Sequence, residues 1–436
     1  MEINLNKYIK GIQEMDTIKM NGRVVRIIGL TIESEGPVVK LGEHCYIKML
    51  NNDKQIDAEV VGFSSDRILL MPLGEMTGIG HGCEVIATGK ALSIPASDRL
   101  LGRVLDGLGR PIDKKGQILT DKYMSLSNTP PNPLERMRIT EPISVGVKAI
   151  DGELTCGKGQ RIGIFAGSGV GKSTLLGMMA RNSSADVNVI GLIGERGREV
   201  REFLEKDLGE EGLKKSVIVV ATSDQPALVR IKGALTATAI AEYFRDKGQN
   251  VLLMMDSLTR FAMAQREVGL AIGEPPATRG YTPSVFALLP KLLERTGNSD
   301  LGTITGLYTV LVDADDMNDP IADAVRGILD GHIILSRNMA SKNHFPAIDI
   351  LSSVSRVMPE VVSDEHMKNA NQLREVLANY REVEDLINIG AYKEGNNLKA
   401  DYAIHKIEEV NKFLKQGVKE KTNLHETIEE INKLFL

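Results

Sequence analysis

With 436 residues, 42% of them hydrophobic and 25% charged, the chain is globular in composition and too long for one core, so two or three domains are expected. A net charge of −5, from 53 basic and 58 acidic side chains, gives no bulk attraction to nucleic acid or anionic lipid. The absence of Trp and 4% aromatics leave few stacking platforms for single strands.

Three scattered cysteines, Cys45, Cys83 and Cys156, fit neither a disulfide framework nor a zinc site. The start MEINLNKYIKGIQEMD lacks a basic stretch followed by an apolar core. No run of about 18 apolar residues occurs, so a cytoplasmic protein is expected.

In chain order, Leu5, Tyr8, Ile9 and Ile12 form a one-sided helical stripe within residues 1–19, suited to packing on its own domain or to docking a partner. Over 20–93, GRVVRIIG, EHCYIKML, QIDAEVVGF, DRILLMPL and CEVIATG are short Val/Ile-rich runs at close spacing, which predict a small closed β-barrel. LGRVLDGLGRPID and the proline-rich SNTPPNPLERMRI read as an ordered connector within the next unit, 94–358. There RIGIFAG, VNVIGLIG, SVIVVAT, NVLLMMD and TGLYTVLVD alternate with helical patterns. Strands so continuously apolar are buried on both faces, which predicts a mostly parallel α/β sheet. From 359 to 436 apolar residues recur at helical spacing, as in Leu373, Val376, Leu377 and Tyr380, and a helical C-terminal domain follows.

The stretch IGIFAGSGVGKST carries the chemistry. Gly167, Ser168, Gly169, Val170, Gly171, Lys172, Ser173 and Thr174 fit the P-loop pattern, with Ala166 at its first position. Backbone N–H groups must converge on phosphate oxygens, which requires little Cβ hindrance, and the following helix adds its positive end. Lys172 is expected to reach the β- and γ-phosphates and Ser173 to ligand Mg²⁺. Asp256, after the five apolar residues VLLMM, suits the carboxylate on the Mg²⁺ side. Glu195 stands immediately past another apolar strand, where ligands collect in open α/β sheets, and is the candidate general base, with Arg196 beside the γ-phosphate. An ordinary solvated Glu-Arg turn fits the same letters. A lone Arg356 in a serine-rich loop is, on chemistry alone, a surface residue.

AGSGVGKST, GLIGERGREV, MDSLTRFAMAQREV, LYTVLVDADDMNDPIADAVRGILDGHIILSR and SVSRVM together resemble the hexameric rotary-type ATPases. PPNPLERMRITEPISVGVKAIDG, leading into the P-loop, is similar to the flagellar type III protein-export ATPases within that superfamily. The resemblance covers nearly the whole chain and implies a β-barrel, a RecA-like α/β P-loop ATPase domain and a helical C-terminal domain. It implies Glu195 as catalytic glutamate, Asp256 on the Mg²⁺ side, Arg356 as an arginine finger reaching a neighbouring subunit's site, and Phe345 packing on adenine. The alternative for Phe345 is a core aromatic at a strand end. One chain holding both Glu195 and Arg356 suits a homohexamer. The acidic lever of the ATP synthase β subunit is replaced by NIGAYKEGNNLKAD (388–401), which speaks against a synthase role.

The implied protein is an ATP- and Mg²⁺-dependent motor of flagellar export, with the injectisome version as the alternative. A regulatory protein would bind the N-terminal segment. A central stalk and export chaperone or cargo would bind the C-terminal domain, and a membrane export gate would lie at the periphery. No nucleic acid is expected.

Overall fold

A computed structural model describes residues 21–50, 54–312, 316–395 and 397–436. The amphipathic stripe expected in residues 1–19 lies outside them. Strands β1 (Gly22–Ile28), β2 (Thr31–Glu35), β3 (Glu43–Lys48), β4 (Gln55–Ser64), β5 (Arg67–Pro72) and β6 (Glu84–Ala91) close into a barrel in the order β1-β2-β5-β4-β3-β6. Every neighbouring pair is antiparallel. Alternation sends Val24, Ile32, Cys45, Ile47, Val60, Ile68, Leu70 and Val85 into one core. Five strands coincide with the Val/Ile-rich runs. The sixth, β2, is TIESE; its Thr31, Ile32 and Ser34 are buried, while Glu33 meets Arg67 at 2.8 Å.

The second compact unit, Ser93–Glu267 with Pro275–Leu436, is built on a twisted sheet. Its strands are β7 (Val104–Asp106), β8 (Arg161–Ala166), β9 (Val187–Ile193), β10 (Ser216–Ala221), β11 (Asn250–Asp256), β12 (Thr303–Leu311), β13 (Gly331–Leu335) and β14 (Val354–Ser355). They lie in the order β14-β13-β8-β12-β11-β9-β10-β7, parallel except for β14. Every residue of β9 and β10 is buried, as two-sided coverage by helices requires. The turn-rich LGRVLDGLGRPID supplies edge strand β7, which pairs in parallel with β10. The proline-rich stretch after it is fastened by a buried knot. Asn128 Nδ2 donates to Glu242 Oε2 at 2.7 Å, Arg295 NH2 reaches the same oxygen at 2.7 Å, and Arg295 NH1 donates to the Leu126 carbonyl at 2.9 Å.

The helices used below are α1 (Lys148–Glu153), α2 (Lys172–Asn182), α3 (Gly197–Glu202), α4 (Ala227–Arg245), α5 (Leu258–Ala271), α6 (Asp364–Asn388), α7 (Leu398–Leu414) and α8 (Leu424–Leu434). One apolar cluster runs from Ile162, Ile164, Leu175 and Met179 through Ile150 to Leu373, Val376, Val410, Phe413 and Ile431. The helical C-terminal layer therefore shares its core with the α/β layer. Among the described residues, no helix is long and apolar enough to cross a membrane.

Candidate active site

Parallel strands direct their carboxyl ends to one edge of the sheet, and there the loops can bind ligands. β8 ends at Ala166, paired with Leu311 of β12 on one side and Leu335 of β13 on the other. Residues 167–171 then turn into α2. Gly169 (φ 77°) and Gly171 (φ 86°) both lie in the left-handed region that side chains disfavour. Gly171 is the N-cap of α2 and offers no side chain of its own, so the first amides of the helix remain open to an anion. Ser168, Gly169 and Ser173 are exposed; Gly167 and Val170 are buried, and Thr174 is half-buried. A Cβ on Gly167 would lie 2.6 Å from the Arg337 guanidinium, so this position is filled from behind.

Three functional side chains converge above that edge. Lys172 Nζ lies 2.6 Å from Asp256 Oδ1, at the end of β11, and 3.6 Å from Glu195 Oε1, just beyond β9. Burial disfavours the Lys172 ammonium, but Asp256 and Glu195 outweigh it and raise its pKa. Thr309 Oγ1, from the intervening strand β12, donates to the same Asp256 oxygen at 2.6 Å and holds the carboxylate in place. Glu195 is pushed up to about 7, first by burial and then by the charge of Asp256. Lys172 opposes these, and a hydrogen bond with Glu199 of α3 adds to them. That hydrogen bond in turn lowers the pKa of Glu199, so the two carboxyls share one proton held on Glu195. A base titrating near neutrality is what proton abstraction from water calls for.

The other predicted residues are placed as follows. Arg196 is not brought into this cluster; its side chain is 79% exposed and lies 3.7 Å from Glu199. Phe345 is 40% exposed and faces the P-loop, its ring 3.6 Å from where a Cβ on Gly171 would stand. It lines a cleft of about 210 Å³ with Val170, Met178, Pro346, Gln416 and Val418, mostly apolar and the right kind of wall for a flat base. Arg356 is exposed and follows β14. Its N–H donates to the Asp330 carbonyl at 3.1 Å, just before β13 begins. The P-loop lies beyond the other end of that five-residue strand, roughly 16 Å away at about 3.3 Å per residue.

The sequence reading missed several residues. Thr309 was visible as a polar residue inside an apolar strand. Glu199, four residues after Glu195, had the spacing of one helical turn. Arg260 of α5 packs across Gly194, where a Cβ would come within 2.7 Å of it. Gln416 had no local signal: it enters the cleft from beyond α7, its N–H bonding the Phe345 carbonyl at 3.0 Å and its Nε2 the Gly146 carbonyl at 3.0 Å.

Comparison with known proteins gives a consistent set of relatives. The models of the ATP synthase alpha/beta family match its β-barrel domain at residues 24–89 and its nucleotide-binding domain at 146–355; the T3SS EscN ATPase C-terminal domain matches 362–433. The flagellum-specific ATP synthase of Bacillus subtilis is 58% identical over 424 residues, covering 97% of both chains. The type 3 secretion system ATPase of Xanthomonas euvesicatoria is 52% identical, covering 94% of this chain and 92% of its own. The assembled ATPase EscN from the enteropathogenic E. coli type III secretion system superposes with a TM-score of 0.90 at 50% identity, covering 95% of this chain and 99% of EscN.

Proposed function

This chain belongs to the flagellum-specific and type 3 secretion ATPases of the ATP synthase alpha/beta family, and from that membership we propose that it hydrolyses ATP as a homohexameric motor of flagellar protein export. The observation that carries the chemistry is the convergence of Lys172, Glu195 and Asp256 at the carboxyl edge beside an open, amide-lined loop.

In this reading the amides of 167–174 bind the phosphates, and Lys172 leaves its carboxylate partners to neutralise the β- and γ-oxygens. Glu195, in its ionised form and freed from Lys172, takes the proton of the attacking water. The Ser173 hydroxyl and the Asp256 carboxylate are hard oxygen donors that fit Mg²⁺. Bound there, Mg²⁺ supplies charge neutralisation of the phosphates. Phe345 and Gln416 hold the adenine.

Arg356 lies at the far end of the sheet from its own P-loop, which supports its use in a neighbouring copy's site. Such a finger is worth roughly 10³–10⁵ in rate. The assembled state of EscN, and its complex with the central stalk EscO, support a ring around a stalk protein for this chain too. Export chaperone or cargo is assigned to the same helical layer, a regulatory protein to residues 1–19, and the site of action to the cytoplasmic face of the export gate. The higher identity to the flagellar relative favours the flagellar system over the injectisome.

The test is Lys172→Ala in the source cell. Export of flagellar components should stop while the chain accumulates normally. Unimpaired flagellar export with loss of another secretion system would move the assignment to the injectisome.

A further inference from the structure

Arg356 owes its place to a turn, and that turn owes its place to one carboxylate. The Arg356 N–H donates to the Asp330 carbonyl at 3.1 Å, and its NH1 reaches the Leu329 carbonyl at 3.5 Å. Asp330 in turn grips Arg161, the first residue of β8, through three contacts: Nε to Oδ2 at 3.1 Å, NH2 to Oδ1 at 3.1 Å and backbone N to Oδ2 at 3.0 Å. A paired fork of this kind fixes orientation as well as distance. The neighbouring residues repeat the connection. Gln160 Nε2 donates to the Asp330 carbonyl at 3.3 Å and to Ser355 Oγ at 3.0 Å, and Ser355 Oγ donates to the Thr155 carbonyl at 2.9 Å. Ser355 and the Arg356 backbone are thus both pinned to the root of β8, the strand whose other end is the P-loop.

We propose that Asp330 is a positioning residue for Arg356: by clamping Arg161 it aims the arginine that this chain lends to the neighbouring copy's active site. The proposal rests on the reading that Arg356 acts in a neighbouring site. Structural need for the charge alone is a weak explanation, because Arg161 also pairs with Glu294, whose carboxylate Arg136 reaches at 3.3 Å. An Asp330→Asn chain keeps the side-chain shape, and its Arg161 keeps a counter-charge.

The experiment uses the full-length chain. Asp330→Asn is expected to lower kcat about 10²-fold, the scale of a reacting group displaced by about 1 Å, with KM for ATP within about threefold and the ring intact. Asp330→Glu should recover part of the loss. The deciding readout mixes variants. In rings of Asp330→Asn and Glu195→Gln chains, a sound site meets a sound finger at about one interface in four, so activity should rise well above either variant alone. Asp330→Asn mixed with Arg356→Ala should show no such rise. The control is Arg356→Ala mixed with Glu195→Gln. If the control recovers activity and the Asp330→Asn mixture does not, the positioning role is wrong and the shared site stands. If the control also stays inactive, the shared site is wrong, and this proposal falls with it. Arg161→Lys, which cannot fork, is the second variant and should behave as Asp330→Asn does; unchanged kcat in both would overturn the proposal.

Discussion

Glu195 as the general base makes a quantitative pH prediction. Its carboxyl titrates at about 7, raised by burial, by Asp256 and by the proton shared with Glu199. A base must be ionised to act, so with this pKa about a tenth of the chains are competent at pH 6 and about nine-tenths at pH 8. kcat/KM for ATP hydrolysis should therefore rise close to tenfold across that interval. The terminal phosphate of ATP titrates in the same range, so the wild-type profile alone is not decisive. Glu199→Gln separates the two. Its amide donates to an ionised Glu195 where a carboxyl had to share a proton, so the pKa of Glu195 falls and activity should persist to lower pH, while the titration of ATP stays where it was. The assay is steady-state phosphate release at saturating Mg²⁺ between pH 5.5 and 8.5 for both chains. Coincident profiles would refute the assignment, as would Glu195→Gln retaining more than about a hundredth of wild-type kcat.

Other expectations concern stability and nucleotide affinity. Glu153 is fully buried at the end of α1, neither carboxylate oxygen has a hydrogen-bond partner, and Arg374 lies 3.6 Å away; burial drives its pKa well up despite that arginine. The folded chain thus holds a proton that the unfolded chain releases, a cost that is absent below the unfolded pKa and grows as pH rises toward the folded one. Glu153→Leu should stabilise by about 1–3 kcal/mol at pH 8 and by less at pH 5, measured by thermal melts; a destabilised variant at pH 8 would contradict this. Gly171→Ala forces a side chain into the left-handed region at a cost of about 1–2 kcal/mol. The fold should survive, while ATP affinity, read with a fluorescent analogue, drops at least tenfold. Gln416→Ala removes the bonds to Gly146 and to the Lys148 N–H at 2.9 Å, and should raise KM for ATP several-fold with little change in kcat.

Much of this site could be read from the letters because its parts obey local rules. A P-loop is contiguous, Asp256 closes one apolar strand and Glu195 lies just past another, so register alone carries them to one edge. Arg356 and Phe345 came into view only through resemblance, since a lone arginine or phenylalanine in a loop has no periodic signature. Strand β2 escaped because TIESE is polar at four of its five positions and owes its pairing to neighbours on both sides. Edge strand β7 escaped because it is three residues long and set among turn residues. Gln416 and the Asp330–Arg161 clamp are products of chain return over 270 and 169 residues, which no window of sequence reveals. The shared core of the α/β and helical layers is of the same kind, joining Ile150 to Phe413 and Ile431.

In the proposed ring, active sites are completed between identical chains. The most direct test is the Mg-ATPase rate per chain against chain concentration, with no other protein or nucleic acid present. A steep, cooperative rise to a plateau, lost in Arg356→Ala, is the predicted result. A rate per chain that is constant down to concentrations where the chain is monomeric would show that each copy carries a complete site and would contradict the account.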